Sequence, residues 1–208
     1  GIVIEIFKNR VEITNSGKPV LDQLHFLDGA PTIKNKRVFT EMKNLGLVDG
    51  QGYGWRKIVK ELESRSLPAP EIKIRKNSIT VTIWFEKPLK LLSLDQRNWT
   101  VYLHTVLRYL LNEPANNASL RQRLNLPESK SSTVSKLVRQ AAEGGLVKPF
   151  DKHSSNKTKK YLPAWSQASS RIPVKTKDYD KLKLEEEKTN NSQNSLSNKA
   201  FIGQEDDQ

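Results

Sequence analysis

The sequence predicts an α+β protein in two ordered segments followed by a disordered tail. Three observations predict this. Short alternating apolar–polar runs flank a pair of helical patterns between Gly1 and Phe85. The stretch Leu94–Trp165 reads as three helices followed by a basic hairpin. From about Ser170 large apolar residues thin out among Asn, Ser, Gln and Lys, and such a chain cannot bury enough surface to offset its conformational entropy.

In the first segment, Ile2–Phe7 and Arg10–Thr14 alternate in period two, which predicts two strands joined by a turn at Lys8-Asn9. Asn15-Ser16-Gly17 is a turn cluster, and Pro19 blocks continuation. Thr32–Leu45 predicts a helix with Val38, Met42 and Leu45 on one face, ended by Gly46. A second helix is expected over Trp55–Ser64, carrying Ile58, Val59 and Leu62, and Leu67-Pro68-Ala69-Pro70 breaks it. Glu71–Ile74 and Ser78–Phe85 are strands around a Lys76-Asn77 turn. The resulting order is β-β-α-α-β-β.

In the second segment, Leu94–Asn112 predicts a helix with Val101, Leu103, Val106, Leu107, Leu110 and Leu111 on its apolar face, and Glu113-Pro114 stops it. Asn117-Ala118-Ser119 is expected to cap a short helix through Asn125. Ser131-Ser132-Thr133 is expected to cap a third helix to Glu143, with Val134, Leu137, Val138 and Ala141 inward and Gly144-Gly145 at its end. Strands follow at Leu146–Phe150 and Lys160–Leu162. Domain boundaries are expected at 1–87 and 94–165, with a linker at 88–93 and a tail at 166–208.

Composition narrows the chemistry. Among 208 residues there are no cysteines and three histidines, His25, His104 and His153, far apart. That excludes a disulfide framework and a thiolate metal site and leaves no metal-ligand spacing. No apolar run approaches ~20 residues, so no membrane span is expected and the expected location is cytoplasmic. The chain opens at Gly1 and its one methionine is Met42, so it reads as beginning inside a domain. The net charge of +12 is uneven. Gly1–Ser93 holds 16 basic and 10 acidic residues, Leu94–Trp165 holds 12 and 5, and Ser166–Gln208 holds 7 and 8. The excess sits on the two ordered segments and favours a phosphate-bearing partner.

Gly50, Gly52 and Gly54 alternate just before the second helix. Such a loop lets backbone amides approach an anion at a helix start, and it also serves as a plain tight connection. The strings IEIFKNRVEITNSG, PTIKNKRVFTEMKNLGLVDGQGYGWRKIVKELESRSLPAPEIKI and SITVTIWF resemble, in order, the C-terminal domain of a RecG-related family. Its members are described as ATP-dependent helicases or transcriptional regulators, and they usually carry an AlbA-type (Schlafen-like) domain upstream. Leu45-Gly46-Leu47-Val48 and Leu67-Pro68-Ala69-Pro70-Glu71 match the family pattern, whereas Ser16 replaces a usual proline. The resemblance implies a GHKL-ATPase-like α+β fold, here truncated at its start. It also implies ATP and Mg²⁺ as possible cofactors of the intact protein, with Gly50, Gly52 and Gly54 as the nucleotide-lid glycines. The family's metal-binding helix has no counterpart in this chain, so no catalytic residue is expected here. No G-x-x-x-x-G-K-[ST] phosphate loop occurs either.

Three helices and a basic hairpin are in winged helix-turn-helix order. The phrase SSTVSKLVRQAAEGGLVK resembles many bacterial winged helices. With the apolar face of the third helix buried, Ser132, Ser135, Lys136, Arg139 and Gln140 face outward, suited to the major groove of duplex DNA. Lys148, Lys152, Lys157, Lys159 and Lys160 on the wing suit phosphates. His153 is expected to be a wing residue. The expected function is that of a DNA-binding transcription regulator. The alternatives are an ATP-coupled DNA-processing protein and a module that pairs two copies into a homodimer.

Overall fold

Residues 1–30, 32–48, 50–151, 155 and 159–167 are described by the computed structural model. The expected tail beyond them, and Lys152, His153 and Lys157 of the expected wing, lie outside the described residues. The fold is α+β, with five α-helices and two antiparallel sheets among the described residues.

Strands β1 (Ile2–Ile6) and β2 (Arg10–Ser16) form the expected hairpin, with Ile4 opposite Ile13. The chain then leaves for helices α1 (Lys36–Asn44) and α2 (Gly54–Ser64). It returns as β3 (Glu71–Ile74), and β4 (Ser78–Trp84) turns back to lie between β3 and β2. The sheet order is β1-β2-β4-β3. Because side chains alternate between faces, the register sorts the sheet into two unlike surfaces. On one, Thr80 and Thr82 are buried beneath longer polar side chains. Arg10 Nε lies 2.6 Å from Glu12 Oε1, Trp84 Nε1 donates to Glu71 Oε1 at 2.5 Å, and Lys87 Nζ sits 4.0 Å over the Trp84 ring. On the other, Ile4, Ile13, Val81 and Ile72 stand side by side in one aliphatic row.

Helix α3 (Leu94–Leu110) starts at a capping box in which Ser93 and Gln96 satisfy each other's backbone amides. Strand β5 (Ala115–Asn116) leads into α4 (Asn117–Arg123), whose capping box is Asn116 with Ser119 rather than a cap at Asn117. Helix α5 (Ser131–Glu143) has the expected span, but its cap differs. Lys130 holds the N-cap position, with no side-chain bond there, and the Ser131 hydroxyl lies 3.1 Å from Asn117 Oδ1 instead. Strands β6 (Val147–Pro149) and β7 (Lys160–Pro163) pair as expected, and β5, absent from the sequence prediction, adds to β7 to give the order β5-β7-β6.

All five helices end in one way. A residue with φ between 50° and 69° follows the C-cap, and the next amide reaches back to a carbonyl in the last turn. After α1 the pair is Gly46 and Leu47, whose N–H bonds Met42 O at 2.8 Å. Ser66, Asn112, Asn125 and Gly145 hold the same place after α2 to α5. This Schellman closure satisfies the last carbonyls of each helix.

The buried core runs through both segments. Phe26, Leu27, Val59 and Ala69 pack in one cluster with Val101, Tyr102, Val106, Leu120, Val138 and Val147. Val134, Leu137, Val138 and Ala141 are all buried, as the helical periodicity predicted. Helix α1 departs from expectation: its apolar residues share one face, yet none of its residues is buried.

Tyr102 stands at the centre of this core, 1% exposed. Its hydroxyl donates to Leu24 O and accepts from Trp165 Nε1 at 2.9 Å. Burial pushes its phenol up to about 12, against the Trp165 hydrogen bond, with Asp28 and Asp22 adding to the rise. A phenol that ionises near 10 when unfolded therefore favours the folded state up to pH 10, and that contribution is lost as pH rises from 10 through 12. Chemical denaturation at pH 9 and pH 12 is expected to show a loss on the order of 2–3 kcal/mol, reduced in Tyr102→Phe.

Candidate functional site

The outward face of α5 and the β6–β7 hairpin enclose a cleft of about 550 Å³. Ser132, Ser135, Lys136 and Arg139 line it from the helix, and Lys159 and Tyr161 line it from the hairpin side. No carboxylate is among the described residues that line it. The geometry follows from the helix period: burying Val134, Leu137, Val138 and Ala141 turns positions 132, 135, 136 and 139 outward. Asn117 at the start of α4 fixes one edge, donating from Nδ2 to Ser131 O at 2.9 Å and to Ser135 Oγ at 3.1 Å. Burial pushes the Tyr161 phenol up, so it stays a neutral hydroxyl in the cleft wall.

The sequence-predicted residues divide. Ser132, Ser135, Lys136 and Arg139 are exposed and converge on the cleft, and Lys159 joins them half-buried. Gln140 is half-buried and does not line the cleft, while Lys160 is exposed beside it. Lys148 is not the free cation expected: it is half-buried and its Nζ donates to Ser166 O, which ties β6 to the chain after β7.

Two glycines of the loop lie in the left-handed region. Gly50 and Gly52 have φ of 76° and 75°, a region that side chains disfavour. Gly54 opens α2, and a Cβ there would meet nothing within 4 Å. Tyr53 holds its N-cap position without a side-chain capping bond of its own. A Cβ on Gly50 would lie 3.0 Å from Phe39 Cζ, so this glycine also admits α1 close to the loop. Among the described residues no three of His, Asp and Glu group as metal ligands would. No helix among them is long and apolar enough to cross a membrane.

One polar cluster escaped sequence reasoning. His104 of α3 is 4% exposed; its Nδ1 lies 3.0 Å from Glu63 Oε2 of α2, and its Nε2 lies 3.0 Å from Ser119 Oγ of α4. Arg123 Nε sits 3.3 Å from the other oxygen of Glu63, and its Nη2 donates to Leu67 O at 2.7 Å. Burial lowers the Arg123 pKa, and Glu63 works against that shift. Serine, histidine and glutamate in this order match a hydrolytic relay in outline. The Ser119 oxygen, however, accepts from Asn116 N at 3.0 Å as part of the α4 capping box. That fixes it in the role of a cap, and the cluster joins three helices. Its members are spread from residue 63 to residue 123, so no local spacing announces it.

The β-β-α-α-β-β unit is an α+β module built on an antiparallel sheet. Residues 1–83, which contain the glycine loop, match the family described as "Putative ATP-dependent DNA helicase recG C-terminal". No curated protein and no solved structure matches the chain.

Proposed function

We propose that the chain binds duplex DNA, with α5 in the major groove and the β6–β7 hairpin against the phosphate backbone, in the service of transcription regulation. The observation that carries this reading is the cleft itself: Lys136, Arg139 and Lys159 converge on it, and no carboxylate lines it among the described residues. The order α3, α4, α5, β6, β7 supports a winged helix, and β5 gives the wing a third strand. Arg and Lys on the helix suit guanine edges, and cations on the hairpin suit phosphates. No bond is made or broken in this role.

Fluorescence anisotropy with a duplex at two salt concentrations tests it. If ~3–4 cations contact phosphates, log affinity falls with log salt at a slope of about −3. Absence of binding at low salt overturns the reading.

The family match over residues 1–83 favours a second reading, in which the intact protein couples ATP to DNA processing. Gly50, Gly52 and the start of α2 at Gly54 are the features that would approach a phosphate. Calorimetry with ATP and Mg²⁺ tests it, and a flat trace removes nucleotide binding from this chain.

A further inference from the structure

Strands β6 and β7 have three and four residues, and a two-stranded hairpin of such length is marginal in water. Pairing with the two residues of β5 adds little. The base of the hairpin is fastened where the chain leaves β7. Ala164 N–H bonds Leu146 O at 3.0 Å, and the Ser166 hydroxyl donates to Pro163 O at 2.7 Å. Lys148 Nζ reaches Ser166 O, and Ser166 is 3% exposed. Trp165 sits between these bonds. Its ring meets Tyr109 of α3 edge-on, with centroids 5.6 Å apart, and lies 5.4 Å from the His25 ring. Its Nε1 donates to the Tyr102 hydroxyl, which donates onward to Leu24 O. His25 Nδ1 lies 3.1 Å from Asp28 Oδ2, which fixes the imidazole against the indole. The hairpin is thus moored on α3 and on residues 24–28, which precede α1 in the first segment.

We propose that Trp165 is a positioning residue for duplex contact: held by His25 and Tyr102, it sets the hairpin at the distance from α5 at which Lys159 and Lys160 reach phosphates while α5 lies in the groove. The proposal rests on the duplex-binding reading. Cations on the hairpin add to affinity only when their phosphate contacts form together with those of α5. A hairpin free to move would have to be ordered on binding, which costs free energy. The mooring does that ordering in advance. Lys148 supports the same view, since a lysine of the hairpin is committed to Ser166 O and not to a phosphate. Leu24 and His25 lie within residues 1–83, so this gives the family-matched segment a part in the DNA contact that needs no nucleotide.

Anisotropy titrations of the full chain against several duplexes, each over a range of salt, test the proposal. Trp165→Ala is expected to move the salt slope from about −3 to about −1.5, the loss of two phosphate contacts, and to weaken binding roughly 10-fold at about 100 mM salt. The ranking of duplexes is expected to hold, since α5 keeps its residues. Trp165→Phe keeps a ring against His25 and Tyr109 and is expected to recover most of the slope. The sharpest comparison is Lys160→Ala made in both backgrounds. In the wild type it is expected to lower the slope by about one, and in Trp165→Ala to change nothing, because that lysine no longer reaches a phosphate. A packing role alone would leave the two effects additive. If circular dichroism shows Trp165→Ala unfolded, His25→Ala carries the same comparison, its side chain being 42% exposed. A wild-type slope in the mooring variant, additive effects with Lys160→Ala, or a flattened ranking overturns the proposal and leaves duplex binding standing. A wild-type chain that binds no duplex overturns the duplex reading and this proposal with it.

Discussion

Replacing Lys136 and Arg139 together by alanine is expected to weaken duplex binding roughly 30- to 100-fold at about 100 mM salt, two contacts each at the low end, about 1–1.4 kcal/mol, of what a base contact contributes. Both side chains are exposed on α5, opposite the buried Val134, Leu137, Val138 and Ala141, so their removal leaves the packed face untouched. The double variant should therefore melt as the wild type does. A third substitution separates reading from steering. Lys160→Ala, on the hairpin and outside the cleft, is expected to lower the salt slope by about one while leaving the ranking of different duplexes unchanged. The double variant is expected to lower the slope and flatten that ranking as well. Anisotropy titrations against several duplexes measure both quantities. Isotherms that coincide for wild type and double variant would remove α5 from the DNA.

Periodicity made much of this legible before any coordinates. The spacing of Val134, Leu137, Val138 and Ala141 identified the buried side of α5, and by subtraction the side that lines the cleft. Alternation in Ile2–Phe7 and Ser78–Phe85 predicted strands, observed at Ile2–Ile6 and Ser78–Trp84, and glycines marked two of the five helix ends. Periodicity assigns residues to a common face, however, and does not say what covers that face. Val38, Met42 and Leu45 do share a stripe, but the step from apolar to buried failed there. Strand β5 was invisible because its two residues carry no pattern, and its existence depends on β7 more than forty positions later. Lys148 misled for a related reason. A lysine in a basic hairpin reads as a solvated charge, and only the return of the chain at Ser166 offers it a carbonyl. Residue type and local spacing carry no information about such distant partners.

The buried cluster at Glu63 carries the largest expected effect on stability. The Arg123 side chain is 4% exposed, and Glu63 is the one carboxylate within ion-pair distance of it among the described residues. Glu63→Ala removes that carboxylate and leaves a guanidinium in the core with Leu67 O as its remaining contact. Breaking a buried pair from one side typically costs about 3–5 kcal/mol, because the surviving charge keeps its desolvation penalty and loses its compensation. The same substitution deprives His104 Nδ1 of its acceptor. Since α2, α3 and α4 meet at these side chains, the loss should appear as one cooperative shift of the whole denaturation curve rather than as local fraying of α2. Glu63→Gln keeps an oxygen for His104 but not the charge for Arg123, and is expected to cost less. The double variant Glu63→Ala/Arg123→Met places an apolar side chain where the stranded guanidinium was. It should recover part of the loss, as neutral replacements of buried pairs do. Urea denaturation of the four proteins decides the matter. A Glu63→Ala cost below about 1 kcal/mol, within the range of surface pairs, would mean that water reaches this cluster and that it does not fasten the three helices together.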